Sequence, residues 1–539
     1  MPFPPACGID SYYGDEMTRI WKQISIALLP IVFLALSSLQ THAAPRHSNV
    51  ASLDKNSREI FEIAMQWGDQ QWDAKTALCS EPEGPRLLPA NPHSGGVHVN
   101  TYFMVRESSW YAIGLLLRDG PGDRERAVQV LNAVLKAQYR EPGKRWDGTF
   151  RRTPTEQASD GHAAMWRSYD PNWRVFIGTA FAIILNEYPD RIPAELRNRL
   201  MESIDYAIAG EIHEGRLQPS YTNIALMYGY LWSYAAEKGG KPEWKEPAQK
   251  WQDEVYRLYK EHEAFNEYNS PTYGGTDLFG LALWRDYGLT EHTRAMGREM
   301  EDGLWRATAD LYNANLRNIS GPYDRSYGMD MQSYVSVMGL WLRMKMDAAK
   351  APLTSFEPPV DHIADLWFIP EMVILDARIP SDAMKSFLSL TGEHEVRRPI
   401  EGSRVATAWI GKTLIYGGEI TGRTRGVDAA SQFHPVTAQW LAAGGKIGWI
   451  NLIRCPAIDA DATKKGIEIT TAPGDVSFRI DAPGVKAADA AAGAWKLSGL
   501  DVRIDSDAKG VNAVQGEGYI DVTYTGMTKM TLRFAQSGR

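Results

Sequence analysis

The sequence predicts a mainly helical domain followed by an all-β domain, specifically an incomplete (α/α) toroid and then an antiparallel β-sandwich. Apolar residues recur at intervals of three and four from about Ser57 to Lys350, which is the helical period. After about residue 400 the pattern changes to short runs rich in Val, Ile, Thr and aromatic residues, separated by turn residues. The 18 tryptophans and 24 tyrosines among 539 residues suit sugar stacking and also packing between large helices, and packing explains most of them.

Helices of two kinds alternate in the first part of the chain. Segments such as 196–208 carry one apolar face, whereas 175–185, 224–235 and 278–284 are apolar nearly all round. A helix that is apolar on every side must be buried on every side. The alternation therefore predicts helical hairpins in two layers, with roughly ten helices in all.

The strand-like runs begin near residue 405, and a Pro-rich stretch at 351–359 marks the change of pattern. The predicted strands are 405–409, 413–416, 447–453, 467–471, 476–480, 502–504, 519–524 and 530–534. We therefore divide the chain into an N-terminal extension with a signal peptide (1–43), a toroid domain (44–355), a linker (356–400) and a β-sandwich domain (401–539).

The N-terminus has the features of a secretory signal. Met17 is followed by Arg19 and Lys22, then by an apolar run at 24–36 that a proline interrupts, and small residues close the stretch at 41–44. The apolar run is short for a membrane span. We expect cleavage near residue 43, a secreted or periplasmic protein, and no stable membrane span afterwards.

Charge and cysteine content exclude several classes of protein. Lys and Arg number 58 against 66 Asp and Glu, a net charge of −8, which does not favour a nucleic-acid partner. Three cysteines do not build a disulfide scaffold; Cys79 and Cys455, which remain after signal cleavage, are either a disulfide or two free thiols. No HExxH motif or His/Cys cluster is present, so we predict neither a metal site nor a cofactor.

Two loops are denser in polar and aromatic residues than the helices around them. The first is 265–277 (FNEYNSPTYGGTD) and the second is 313–330 (NANLRNISGPYDRSYGMD). Both contain Gly and Pro, which shape the backbone. Any single Asn, Asp or Ser here is best explained as a helix cap. Two such loops, each leading into an apolar helix, favour a functional site.

Tyrosine, arginine, asparagine and glutamate together suit β-elimination beside a carboxylate. The C5 proton of a uronic acid becomes acidic once an amide, a guanidinium or a protonated carboxyl group neutralises the neighbouring carboxylate. A tyrosine can then take that proton and donate one to the leaving glycosidic oxygen, helped by an arginine that lowers its pKa from about 10. The second loop supplies two such pairs, which we expect to be catalytic: Arg317 with Tyr323, and Arg325 with Tyr327.

Asn223 is a further catalytic candidate because it begins the apolar helix 224–235. It either caps that helix or supplies the neutralising amide. Candidate substrate-binding residues lie in the two loops, in polar clusters before apolar helices, or in the β domain: Glu267, Asn269, Tyr273, His162, Asn172, Trp173, Arg174 and His434.

The signal peptide, aromatic-rich helical domain, β domain and loops together resemble the polysaccharide lyases of the alginate, glucuronan and heparinase II/III type. The segments NSPTYGG (269–275) and GPYDRSYGMD (321–330) are most similar to the glucuronan- and alginate-degrading members. The resemblance implies an anionic polysaccharide as substrate. By position it implies a base and acid, an assisting cation and a neutralising group: Tyr323 or Tyr327, Arg317 or Arg325, and Asn223 or Glu267.

The sequence departs from this family at one point. Many alginate-lyase-like toroids have a histidine directly after the neutralising asparagine, whereas Ile224 follows Asn223 here. Either another histidine (His162, His262 or His434) takes that role, or Asn223 is not the equivalent residue. An acidic protein that binds a polyanion also needs a locally basic cleft. The basic residues in helical-domain loops are Lys144, Arg145, Arg151, Arg152, Arg174, Arg317 and Arg325.

Two other functions fit the same pattern. A toroid glycoside hydrolase needs two carboxyl groups across the scissile bond, and Glu267 with Asp277, or Asp324 with Asp330, would have to supply them. A non-catalytic periplasmic glycan-binding protein would bind without turnover. A lyase is distinguished from both by a product with a C4–C5 double bond, which absorbs in the ultraviolet.

Overall fold

The computed structural model describes residues 45–80, 103–158, 164–356, 360–428 and 431–537, and these form part of one unit that runs from Ala43 to Arg539. The predicted signal peptide and His162 lie outside the described residues. Within them are twelve α-helices: α1 (Lys55–Gln71), α2 (Val105–Arg118), α3 (Asp123–Lys136), α4 (Trp173–Glu187), α5 (Ala194–Glu214), α6 (Thr222–Lys238), α7 (Lys245–His262), α8 (Tyr273–Tyr287), α9 (Glu291–Leu311), α10 (Val337–Lys345), α11 (Ile369–Leu375) and α12 (Ser381–Leu388).

The helices form two layers, as the alternating pattern predicted. The apolar helices α2, α4, α6, α8 and α10 are neighbours in that order, and α3, α5, α7 and α9 each pack on the helix before them. Nearly all of α4 is buried, whereas α7 buries only Ala248, Gln252, Val255 and Tyr259. That spacing of four, three and four is the single buried stripe of an outer helix.

Three further helices, α1, α11 and α12, and two small sheets complete the helical part. Helix α1 contacts both α10 and α2, and α11 contacts α1, α2 and α8. The small sheets are formed by β1 (Trp72–Asp73), β2 (Leu78–Ser80) and β3 (Phe103–Met104), and by β4 (Tyr312–Asn313) with β5 (Asn318–Ile319). The stretch assigned as a linker, 356–400, contains α11 and α12, and α11 is entirely buried.

The second part of the chain is one antiparallel sheet of twelve strands. They are β6 (His394–Glu401), β7 (Arg404–Ile410), β8 (Leu414–Ile420), β9 (Val436–Leu441), β10 (Ile447–Arg454), β11 (Ile458–Thr463), β12 (Gly466–Asp481), β13 (Ala490–Ala491), β14 (Ala494–Leu497), β15 (Leu500–Ser506), β16 (Gly510–Gln515) and β17 (Tyr519–Gln536). Ten of them are hydrogen-bonded in the order β13-β14-β15-β17-β12-β10-β9-β8-β7-β6; β11 pairs with β12 and β8, and β16 pairs with β17.

Two predicted pairs of short strands are single long strands in the structure. The runs 467–471 and 476–480 both lie in β12, and 519–524 and 530–534 both lie in β17. The β12–β17 register shifts on both sides of Gly474. The sequence predicted a turn at 472–475 because its residues are of types common in turns. In the structure they form a bulge that does not end the strand.

The loop at 320–328 joins the helical part to the sheet. The main chains of Tyr323 and His434 exchange hydrogen bonds of 3.1 and 2.8 Å. The Asp324 carboxylate accepts hydrogen bonds from Arg404 and Arg425, both in the sheet part. At Gly417 in β8 a Cβ atom would lie 1.8 Å from the Gly321 carbonyl oxygen, so only glycine permits this close backbone approach.

Both described cysteines are free thiols. Cys79 and Cys455 are buried, and burial raises the pKa of Cys455 to about 11. Of the alternatives that the sequence left open, the structure therefore has two buried thiols. Among the described residues no helix combines the length and apolar composition that crossing a membrane requires.

Candidate functional site

A cavity of about 770 Å³ opens between the ends of the inner helices and the sheet. This volume lies within the range of ligand pockets, roughly 300–1,000 Å³. Of the predicted catalytic and substrate-binding residues, those that line it are Asn172, Asn223, Glu267, Tyr273, Arg325 and Tyr327. They come from loops far apart in sequence, so the fold brings both predicted loops and the start of α6 to one place.

Asn223, Glu267 and Arg325 form a hydrogen-bonded chain in the cavity wall. Asn223 Nδ2 donates to Glu267 Oε2 at 3.0 Å, and Arg325 Nη1 donates to Glu267 Oε1 at 2.7 Å. Burial raises the pKa of Glu267, while Arg325 and Asn223 oppose that rise. Helix α6 begins at Thr222 with Tyr221 at its N-cap position, so Asn223 lies within the helix and is not its cap. Its side chain therefore serves the cavity rather than the helix end.

Tyr273 and Tyr327 form a hydroxyl pair beside this chain. Tyr273 Oη donates to Tyr327 Oη at 2.5 Å, and the Arg325 guanidinium lies 3.9 Å from the centroid of the Tyr273 ring. Burial and Tyr327 raise the pKa of Tyr273 well above 10, so Tyr273 remains protonated and donates. The Tyr327 ring stacks on His362 with centroids 4.5 Å apart. Tyr327 is thus fixed by a hydrogen bond and by a ring contact.

The start of α8 positions Tyr273. The Tyr273 N–H donates to Ser270 Oγ at 2.9 Å, which satisfies one of the free donors of the first helical turn. A Cβ atom on Gly275 would lie 2.5 Å from the Met338 nitrogen in α10. The absence of a side chain at Gly275 therefore lets α8 approach α10, and this contact sets where the first turn of α8 lies.

Arg325 is also held from the sheet side. Its Nε donates to Gln432 Oε1 at 2.9 Å, and the Gln432 carbonyl accepts from the Ser326 N–H at 3.0 Å. The sheet therefore contributes to the cavity through the loop before β9. Through Gln432 this loop fixes the orientation of the Arg325 guanidinium.

Asn172 lies at another part of the cavity. Its Nδ2 donates to Tyr221 Oη at 3.1 Å, and its Oδ1 accepts from Arg216 Nη2 at 2.6 Å. Trp173, the next residue, begins α4 and is buried, with the Arg106 guanidinium 5.2 Å from its ring centroid. Trp173 does not line the cavity.

Tyr323 and Arg317, two of the predicted catalytic residues, lie outside the cavity. Tyr323 is 0% exposed, and its hydroxyl donates to the Ile319 carbonyl oxygen. Arg317 occupies the turn between β4 and β5 and donates to the carbonyl oxygens of Ala349 and Ala351 at 3.3 and 3.4 Å. Of the two predicted Arg/Tyr pairs, Arg325 with Tyr327 therefore lines the cavity and Arg317 with Tyr323 does not.

Arg174 and Asn269 also lie outside the cavity and make internal contacts. Arg174 is 0% exposed and pairs with Glu211 at 2.9 Å and Glu214 at 2.6 Å. Asn269 has a φ of 50° and donates from Nδ2 to the Ser320 and Pro322 carbonyl oxygens, both at 2.7 Å. Asn269 therefore supports the loop that carries Arg325 and Tyr327.

His434 supports the same loop and does not line the cavity. Its Nε2 lies 3.1 Å from the Ser326 carbonyl oxygen, and its Nδ1 lies 3.0 Å from Asn451 Nδ2. A neutral imidazole that donates from Nε2 and accepts at Nδ1 satisfies both contacts. Burial lowers the pKa of His434.

The buried neutral His434 predicts a loss of stability in acid. Its pKa is below 6.5 in the folded protein and near 6.5 when unfolded, so the unfolded state binds the proton more readily. The contribution of neutral His434 to the free energy of unfolding is fully present above about pH 6.5 and is lost as the pH falls below that value. Urea unfolding at about pH 7.5 and 5.5 should show a smaller pH dependence for His434→Gln than for wild type. His262→Gln, outside this network, is the control; equal pH dependence in all three proteins would contradict the assignment.

Several cavity residues were not identified from the sequence. They include Trp110, Trp166, His362 and Asp365, none of which lies in the two predicted loops. His362 has a φ of 58°, and its Nδ1 lies 3.5 Å from Asp365 Oδ2. His362 lies within the stretch assigned as a linker (356–400), and its sequence signal is a histidine near a Pro-rich segment. Among the described histidines, His362 is the one that lines this cavity.

The cavity lining is balanced in charge, unlike the acidic chain as a whole. Among described residues it contains Arg106, Arg152, Arg325 and Arg425, and also Asp170, Glu267, Asp324 and Asp365. Burial raises the pKa of both Asp170 and Glu267, which disfavours their charged forms. No group of three or more His, Cys, Asp or Glu residues arranged to hold a metal occurs in the part of the chain that the structure describes.

Fold and site together define a protein with a layered helical part, an antiparallel sheet and a polar, tyrosine-containing cavity. The chain belongs to the family described as a domain of unknown function (DUF8769), whose model matches residues 58–377. A second model, also a domain of unknown function (DUF8770), matches residues 393–531. No curated protein matches the sequence.

Solved structures of heparinase III are similar to the chain at a low level. One, titled "Crystal Structure of Heparinase III", is 9% identical with a TM-score of 0.40, and the match covers 90% of this chain and 85% of the other. A heparinase III gene product with methylated lysines is also 9% identical, with a TM-score of 0.30 and coverage of 92% and 87%. At these values the likeness supports no statement about activity.

Proposed function

We propose that the protein is a polysaccharide lyase that cleaves a uronic-acid-containing polysaccharide by β-elimination in this cavity. The observation that carries the proposal is that the Tyr273–Tyr327 hydroxyl pair and the Asn223–Glu267–Arg325 chain line the same cavity. The tyrosine pair supplies the acid and base, and the Asn223–Glu267–Arg325 chain supplies hydrogen-bond donors for the substrate carboxylate. β-Elimination beside a carboxylate requires both.

The carboxylate of the substrate binds at Asn223, Glu267 and Arg325. The Asn223 amide has two N–H groups, and the contact with Glu267 uses one of them. Because burial raises the pKa of Glu267, its protonated form can also donate to the substrate. Arg325 retains N–H groups beyond those bound to Glu267 and Gln432. These donors withdraw charge from the carboxylate and make the C5 proton acidic.

Tyr327 acts as base and then as acid. As a phenolate it takes the C5 proton, the C4–C5 double bond forms, and the C4–O bond breaks. Tyr327 then returns the proton to the leaving glycosidic oxygen, so the enzyme ends in its starting state. The Tyr273 hydroxyl donates to Tyr327 Oη and so stabilises negative charge on that oxygen. The Arg325 cation above the Tyr273 ring adds to this stabilisation.

The proposed architecture is an incomplete (α/α) toroid with a β-sandwich. The neighbour relations α2-α4-α6-α8-α10, with α1 in contact with both α10 and α2, support a ring of inner helices. The twelve-stranded sheet with two bulged long strands supports a sandwich made by folding over one sheet. The export predicted from residues 17–43 fits an enzyme that meets a polysaccharide outside the cytoplasm, and no cofactor enters this mechanism.

A glycoside hydrolase is the second candidate, and one observation favours it. Asp170 and Asp365 line the same cavity, and burial raises the pKa of Asp170, as the acid of a hydrolase requires. The pairs suggested by the sequence are less suitable. Asp277 and Asp330 do not line the cavity, and Asp324 is bound by Arg404 and Arg425.

An ultraviolet assay on defined glycans tests the lyase proposal. We expect the purified protein to release product with C4–C5 double-bond absorbance from at least one of glucuronan, alginate, hyaluronan and heparin-type glycans. The control is the same glycan with its carboxyl groups reduced to alcohols, which should not be cleaved because its C5 proton is not acidified. Absence of unsaturated product from all four glycans would contradict the proposal.

A further inference from the structure

Trp166 is a large apolar side chain that remains exposed while it lines the cavity. It is 37% exposed, whereas most tryptophans in the described residues are buried or partly buried. It belongs to the loop before α4. Within the described part of the chain, Trp166 makes no hydrogen bond or ring contact with Tyr273, Tyr327 or Arg325. The proposed mechanism therefore leaves this residue unused.

The backbone at Trp166 is held in an unfavourable conformation. Its φ is 66°, in the left-handed region that bulky residues rarely adopt. The Trp166 N–H donates to the Tyr169 carbonyl oxygen at 2.8 Å, and the Trp166 carbonyl oxygen accepts from Arg152 Nη1 at 3.1 Å. Such strain persists only where surrounding contacts enforce it, and it is commonest at functional sites.

The Trp166 indole is also supported from one side by a cation. The Arg216 guanidinium lies 5.7 Å from the ring centroid. Arg216 in turn donates to Asn172 Oδ1 at 2.6 Å and pairs with Glu211 at 3.2 Å. These contacts restrict Arg216, and through it the ring. The result is a fixed aromatic surface in the cavity that still faces solvent.

We propose that Trp166 is the stacking platform of a second sugar-binding subsite, which holds a pyranose ring of the polysaccharide other than the one that reacts. The C–H face of a pyranose is apolar and flat enough to pack on an indole, while its hydroxyl groups remain hydrated. Arg152 and Arg216 are positioning residues that keep the ring in place. This proposal rests on the proposed function, which identifies the bound polysaccharide as one that contains uronic acid.

The test is the effect of Trp166→Ala on oligosaccharides of increasing length. Loss of the platform should raise KM for a long oligosaccharide by about tenfold and leave kcat within about twofold, because the reacting sugar is bound elsewhere. The shortest cleavable oligosaccharide should show little change in KM. Trp166→Phe should restore part of the affinity. Trp244→Ala, a partly exposed tryptophan that does not line the cavity, is the matched control.

Binding to uncleaved oligosaccharides separates this proposal from the proposed function. Calorimetric titration of Tyr327→Phe alone and of Tyr327→Phe with Trp166→Ala needs no turnover. Binding weakened about tenfold by Trp166→Ala supports the subsite even if wild type forms no unsaturated product. Equal KM and equal affinity with and without Trp166, or no oligosaccharide binding by the protein at all, would overturn it. Formation of product with an unchanged KM would overturn the subsite and leave the lyase proposal intact.

Discussion

Tyr327→Phe should lower kcat for uronate cleavage by about 10²- to 10⁴-fold, the usual contribution of an acid–base group. The substitution removes the hydroxyl that takes and returns the proton, but it retains the ring that stacks on His362. Substrate affinity should therefore change little. Steady-state kinetics of the ultraviolet-absorbing product, with circular dichroism to verify folding, measures both effects.

Tyr323→Phe is the matched control for Tyr327→Phe. Both tyrosines lie in the segment 321–330, but the Tyr323 hydroxyl is buried against the Ile319 carbonyl oxygen. Losing that hydrogen bond should cost about 1 kcal/mol of stability and leave kcat of the folded protein unchanged. If Tyr323→Phe abolished turnover while Tyr327→Phe retained it, the assignment of the base would be reversed.

Arg174→Met should lower the free energy of unfolding by about 3–5 kcal/mol. Arg174 is fully buried, and its loss leaves the carboxylates of Glu211 and Glu214 without their main partner inside the protein. It also removes the donors to the Arg145 and Asp147 carbonyl oxygens. Urea denaturation measures the change.

The control for Arg174→Met is Arg140→Ala, which breaks an exposed pair with Glu202. Exposed ion pairs contribute little because water and salt screen them. The unfolding midpoint of Arg140→Ala should be close to that of wild type. If Arg174→Met lowered the free energy of unfolding by less than about 1 kcal/mol, the buried cluster of Arg174, Glu211 and Glu214 would not be a main source of stability.

Sequence periodicity was sufficient to predict the layered helices and the sheet. Helix α4 could be recognised as an inner helix because it is apolar nearly all round, and α5 as an outer helix because it has one apolar face. The boundaries inside β12 and β17 could not be predicted, because a bulge and a turn use the same residue types. The helices in 356–400 are too short for periodicity to reveal them.

The candidate site was predicted in part. Loop composition identified Glu267, Tyr273, Arg325 and Tyr327, which line the cavity together. Composition could not separate them from Tyr323 or Asn269, because the direction of a side chain depends on long-range contacts such as the Tyr323–His434 main-chain pair.

Trp166 and His362 were missed for a related reason. Each lies in a loop without a distinctive motif, and each has a positive φ that the sequence does not reveal for a residue other than glycine. The fold alone brings them to the cavity.

Mass spectrometry of products formed in H₂¹⁸O separates elimination from hydrolysis in one experiment. β-Elimination breaks the C4–O bond without adding water, so a lyase should give an unsaturated product that is one water lighter than the hydrolysis product and free of ¹⁸O from the cleavage step. A saturated product that carries one ¹⁸O at the new reducing end would rule out β-elimination and would assign the cavity to a glycoside hydrolase.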